Sequence, residues 1–216
     1  MKVRSNSFID GQPIPARHAF GKIDPKTQVT LSDNVNPHLA WDEVPQGTQS
    51  FVVICHDRDV PSRGDDVNQA GRKVPADLPR VDFFHWILVD IPSSKTEIEE
   101  GEFSNGVTPR GKGGPAVAHG MRQGINDYTS WFASDHDMGG QYYGYDGPCP
   151  PWNDSIIHRY VFTVYALDVP TVDIEGTFNG HDVRRVIDKH VLAQASISGT
   201  YSLNPALAPK AIGPND

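Results

Sequence analysis

VDFFHWILVDIP, residues 81–92, decides the class of fold. Apart from Asp82, His85 and Asp90, every residue before the terminal proline is aliphatic or aromatic, the composition of a buried strand. Ile91-Pro92 ends the pattern, because proline has no N–H to give an interior ladder. Working outward, SFVVICHD (50–57) reads as a second core strand, HRYVFTVYALDVP (158–170) as a third and SISGTYSL (196–203) as a closing one. NVNPHLAW (34–41) is a turn that should bury Leu39 and Trp41. One segment, HDVRRVIDKHVLAQA (181–195), has helical periodicity, with Val183, Ile187, Val191 and Ala195 on one face beside Val186 and Leu192. With 20 glycines and 18 prolines in 216 residues, the chain predicts a mainly β architecture with many turns. A single domain over 1–216 is expected, with residues 1–20 as a peripheral arm and 205–216 as a peripheral tail.

Composition narrows the function. The formal charge of -8, with no basic run to offset it, argues against a nucleic acid as the partner. No apolar stretch reaches the roughly 18 residues of a membrane span, and the N-terminus lacks a signal-peptide pattern. Cys55 and Cys149 have no metal-type spacing and read as reduced thiols, Cys55 packed in a strand and Cys149 held between prolines. A cytoplasmic protein is the expectation.

Chemistry gathers at strand boundaries. Asp57 and Asp59 end one strand, His85 interrupts a second, and His158 with Tyr160 opens a third. Strict alternation puts His85 with Phe83 and Ile87, and His158 with Tyr160 and Phe162. A histidine in an apolar strand needs a partner, since an unpaired buried polar group costs on the order of 1–3 kcal/mol. Two readings follow. Asp57, Asp59, His85 and His158 would form either the wall of a binding pocket or, alternatively, the site of a metal-dependent hydrolase. Neither HExxH-type spacing nor an activated cysteine supports an enzyme, so a non-enzymatic binding protein without cofactor or metal is expected.

Four blocks, in order, resemble the phosphatidylethanolamine-binding protein family: NVNPHLAW, DRDVPSR (57–63), FFHWILVDIP (83–92), and GPCPP (147–151) followed by HRYVFTVYALD (158–168). NDY (126–128) and YYGYDGPCPPWND (142–154) are most similar to the bacterial and archaeal, Raf-kinase-inhibitor-like branch. The resemblance implies a large antiparallel sheet packed on a smaller one, a C-terminal helix, and long irregular loops. It also implies a sheet-edge pocket for a small anion, either phosphate or a phosphorylated head group. Carried over by motif, the pocket residues are Asp57, Asp59, Pro61, His85, Gly147, Pro148, Pro150, Pro151, His158 and Tyr160. A homodimer and regulation of a partner protein are further implications. Arg58 stands where the motif has its first proline, and Asn36 where it has serine.

Within such a pocket the histidines are the expected donors, with Asp57 and Asp59 holding their rings. If either histidine bound the anion as imidazolium, affinity would rise as pH falls through about 6.5. The irregular stretch 93–145 is too long for a passive connector. Its aromatic residues Trp131, Phe132, Tyr142, Tyr143 and Tyr145 should be buried in part.

Overall fold

The computed structural model describes residues 1–207. Three of the apolar runs become the long strands β5 (Ser50–Pro61), β6 (Arg80–Pro92) and β9 (His158–Leu167). With β8 (Arg122–Gln123) and β10 (Val191–Tyr201) they form one antiparallel sheet in the order β10-β9-β5-β6-β8. A smaller sheet, β1-β4-β7, consists of β1 (Lys2–Arg4), β4 (Leu39–Asp42) and β7 (Glu97–Ile98). A hairpin of β2 (Gly21–Asp24) and β3 (Gln28–Leu31) stands beside them.

Both faces of the large sheet are covered, which explains why its strands read as continuous apolar runs. Phe51, Val53 and Cys55 pack with Leu39, Trp41 and Ile98 of the small sheet. The intervening Val52 and Ile54 join Phe178, Val183 and Ile187 on the opposite face. Val183 and Ile187 belong to helix α2 (Gly180–Ile187), whose first turn Asn179 and Asp182 close with a capping box.

Two expectations need correction. The helix stops at Ile187, and the second half of the segment read as helical is β10, paired with β9 from Val191↔Leu167 to Tyr201↔His158. Leu-Ala-Gln-Ala has good helix propensity, but β9 would otherwise present a bare edge, and satisfying that ladder outweighs a few tenths of a kcal/mol per residue. Residues 1–20 are not peripheral: β1 pairs with β4, and Phe8 and Ile14 are buried in the main core. The stretch 205–216 is described only as far as residue 207, and the remainder of that expected tail lies outside the described residues.

The stretch 93–145 is tied down. It contributes β7, β8 and the single turn α1 (Tyr128–Trp131), and it buries Tyr142, Tyr143 and Tyr145. Asn36 accounts for part of this order, since its side-chain oxygen accepts from Phe103 and Ser104 and its amide donates to the Glu99 carbonyl.

Candidate functional site

At one end of the large sheet, where β5, β6 and β9 run past the edge of the core, the chain encloses a cavity of about 260 Å³. Its floor is formed by Asp57 of β5, His85 of β6, and His158 and Tyr160 of β9. Phe83, Tyr128, Trp131 and Phe132 form an aromatic wall, and Cys149, Pro150 and Pro151 a stiff one. Ser62, Arg63, Gly64 and Asn68 rim the opening.

A β-bulge aims His85. In the ladder Cys55 faces Trp86 and His56 faces Phe84, so His85 is the extra residue. Strict alternation therefore fails here. Ile87 goes with Phe84 to the α2 face, while His85 packs against Phe83, Tyr128 and Tyr160 at centroid separations of 4.9, 5.5 and 5.2 Å. Its Nδ1 lies 2.7 Å from the Asp146 carbonyl oxygen. A carbonyl only accepts, so Nδ1 carries the hydrogen and Nε2 keeps its lone pair. Burial holds this ring down to about 4, against the pull of Asp57 and the Asp146 carbonyl, so it is neutral near pH 7.

His158 has the opposite environment. Its Nδ1 lies 2.6 Å from Asp57 Oδ2 and its Nε2 3.0 Å from Asp154 Oδ2, with the ring fully buried. Burial alone would depress it, but the hydrogen bonds from Asp154 and Asp57, with their charges, outweigh this and raise it to about 9. It is an imidazolium donating both N–H groups to carboxylates. Asp154 also takes a bidentate contact from Arg80, at 2.6 and 3.0 Å. Arg80, Asp154, His158 and Asp57 thus form a buried row of alternating charge.

Tyr160 sits opposite Asp57 in the ladder, and its buried hydroxyl faces the Asp57 carboxylate without a well-formed hydrogen bond. Tyr128 does have one, donating to the Gly147 carbonyl at 2.8 Å.

Of the ten residues carried over by motif, Asp57, Pro61, His85, Pro150, Pro151, His158 and Tyr160 line the cavity, whereas Asp59, Gly147 and Pro148 do not. Asp59 turns away to a bidentate pair with Arg159, at 2.8 and 2.6 Å, so it holds no imidazole. A Cβ at position 147 would run into the His18 carbonyl, so that glycine serves close backbone approach. The Pro148 carbonyl accepts from Phe20 and Gly21, which joins the pocket wall to the start of the β2–β3 hairpin. Arg58 points outward and is exposed.

The alternative metal cluster does not assemble. His158 has no lone pair to give a cation, and Asp59 is committed to Arg159. The expectation of an anion-binding histidine titrating near pH 6.5 fits neither ring, since one is pushed up to about 9 and the other down to about 4. Cys149 lines the cavity, but burial pushes its thiol up to about 12, which leaves it protonated and unreactive.

Sequence reasoning missed Asp146, Asp154 and Arg80. Asp146 is buried and accepts from Asn34 (2.8 Å), Asn126 (2.8 Å) and Lys112 (2.7 Å), and its carbonyl fixes His85. Burial raises its carboxyl, partly offset by those partners. The signals were on view, since Asp146 immediately precedes GPCPP and Asp154 stands four residues before His158.

The fold and cavity define a class: a two-sheet antiparallel β protein with a small aromatic-walled pocket beyond the sheet edge. The model of that class matches residues 4–202, and the chain belongs to the phosphatidylethanolamine-binding protein family. Among bacterial and archaeal relatives, it is 33% identical to UPF0098 protein YbhB of Escherichia coli K12 over 94% of this chain and 100% of that one. It is 32% identical to a UPF0098 protein of Aquifex aeolicus, over 93% and 88%. The crystal structure of E. coli YbcL is similar at 26% identity with a TM-score of 0.66, covering 93% of this chain and 97% of that one.

Proposed function

We propose that this protein is a non-enzymatic binder of a small anionic group, phosphate or a phosphorylated head group, taken into the pocket floored by Asp57, His85 and Tyr160. One observation carries the reading: His85, its Nδ1 held by the Asp146 carbonyl and its ring 5.2 Å from that of Tyr160, keeps Nε2 unpaired in a cavity large enough for such a group. An unpaired polar atom in such a site costs on the order of 1–3 kcal/mol, and a ligand hydroxyl such as a P–OH that donates to Nε2 recovers that cost. The Asp57 charge is matched by the His158 imidazolium, so the floor does not repel an anion with a full negative charge. The aromatic wall suits the carbon skeleton that a head group brings with it.

Regulation of a partner protein and homodimerisation extend this reading and rest on the family resemblance, and a cytoplasmic setting rests on the two unpaired cysteines. Native mass spectrometry of the purified protein with a panel of phosphorylated metabolites tests the core of it. A retained phosphorylated ligand, weakened in Tyr160→Phe, is the expected result. Failure of every anion in the panel to bind, or binding indifferent to that substitution, would remove its basis.

A further inference from the structure

The walls of the cavity differ in how they are held. Its floor belongs to the ladder of β5, β6 and β9, and Pro150 and Pro151 stiffen one side. On the aromatic side Tyr128 is buried and stacks on Phe132 with ring centroids 5.6 Å apart. The rim is built otherwise. Ser62, Arg63, Gly64, Val67 and Asn68 line the cavity from the stretch 62–73, in which Asp66 and Val67 are half-buried and the rest exposed. Apolar burial therefore contributes little to keeping this stretch in place.

Hydrogen bonds to one short segment do so instead. Asn153 Oδ1 accepts from the Asn68 N–H at 2.9 Å, and its Nδ2 donates to the carbonyls of Asp66, Gln69 and Arg72 at 2.8, 3.3 and 3.2 Å. In return, Asn68 Oδ1 accepts from the Trp152 N–H at 3.0 Å. Among the described residues, the one other hydrogen bond from 62–73 to the rest of the chain runs from the Ser62 N–H to the Pro79 carbonyl, at the root of the loop. Asn153 is itself fixed. Its carbonyl accepts from Val74, and the next residue, Asp154, is locked to Arg80 and His158. Two consecutive side chains thus face opposite ways: Asp154 completes the charge row of the floor, and Asn153 fastens the rim.

We propose that residues 62–73 form a strap across the mouth of the pocket, and that Asn153 keeps it closed and so sets how readily the cavity admits a molecule from solvent. The inference concerns access to the pocket and is independent of the ligand class proposed above.

Cys149 reports on access, because it lines the cavity, whereas Cys55 lies in the main core and responds only to global unfolding. Burial holds the Cys149 thiol up to about 12, so it reacts slowly while the pocket is closed. Opening of the strap both admits reagent and relieves that burial. The experiment is alkylation by iodoacetamide at about pH 8, read by peptide mass spectrometry at both cysteines, together with hydrogen exchange. In Asn153→Ala, Cys149 should be alkylated about tenfold faster than in wild type, or more, with Cys55 unchanged. Exchange should quicken across 62–73 and stay as it is in β5 and β9. Asn68→Gly keeps the positive φ of 56° and the N–H to Asn153 but loses the contact to Trp152, and should give a smaller gain in the same direction.

An unchanged Cys149 rate in Asn153→Ala would overturn the proposal. So would a rise matched by Cys55, which marks lost global stability rather than an opened pocket. Were Asn153→Ala not to fold, Asn68→Gly decides: a gain confined to Cys149 supports the strap, and no gain overturns it.

Discussion

The sharpest consequence of the site's geometry concerns His158 under alkaline conditions. Its two carboxylate partners raise it from an ordinary 6.5 to about 9, a preference for the charged ring of roughly 3 kcal/mol in the folded state. Because the folded value lies above the unfolded one, this stabilisation is complete below pH 6.5 and erodes above it. It is gone once the pH passes about 9. The ring is fully buried, so solvent screening takes little from the figure. Long-range 1H–15N correlation spectra should show both ring nitrogens protonated at pH 7.5 and a titration centred near 9. Urea unfolding at pH 6.5 and 9.5 reads the same quantity as stability. Comparison with Asp154→Asn isolates it, since that substitution removes one of the two carboxylates and leaves the other titrating groups in place. The variant should be less stable at pH 6.5, by on the order of 3–5 kcal/mol, because Arg80 loses its bidentate partner. Its further loss between pH 6.5 and 9.5 should be smaller than that of the wild type. A neutral His158 at pH 7.5, or an alkaline loss identical in both proteins, would refute the reasoning.

Tyr160→Phe deletes a buried hydroxyl that faces Asp57 without a well-formed hydrogen bond, so the variant should stay within about 1 kcal/mol of wild type in urea unfolding, while anion affinity drops about tenfold. His85 governs the acid side. With its folded value near 4 and an unfolded one near 6.5, its contribution is complete above pH 6.5 and is lost as pH falls towards 4, about 3 kcal/mol in all. That limb of the stability profile should disappear in His85→Gln. Lys112→Met leaves the buried Asp146 carboxylate without its ammonium partner. It should destabilise the protein by on the order of 3 kcal/mol and speed hydrogen exchange across residues 106–147.

The strands were legible because their apolar runs are long and bounded by proline or charge. The pocket lining was legible in part, through residues such as Asp57, His85 and Tyr160. Two kinds of information were not. Periodicity presumes an unbroken ladder, and the bulge at His85 breaks it, so Ile87 was assigned to the wrong face. Likewise β10 shows its identity only in company, because Ala193, Gln194 and Ala195 become strand by pairing with Ala166, Tyr165 and Val164. Long-range pairing also concealed how the charges are neutralised. Asp57 meets His158 across a separation of 101 residues, and Arg80 meets Asp154 across 74. Asp59 looked equivalent to Asp57, yet two residues further along a bulged strand it turns to Arg159.

The bulge in β6 has an evolutionary corollary. A descendant that lost one residue between Phe84 and Trp86 would remove the register shift between Cys55 and His56, and His85 would no longer be the unmatched residue. Such a deletion would improve the sheet as a scaffold and silence it as a receptor. Selection for robustness alone would tend to remove the irregularity, so its persistence in a lineage records continued use of the pocket. Gaps and insertions at this one position in an alignment of relatives are therefore a simple way to sort those that bind from those that have kept only the fold.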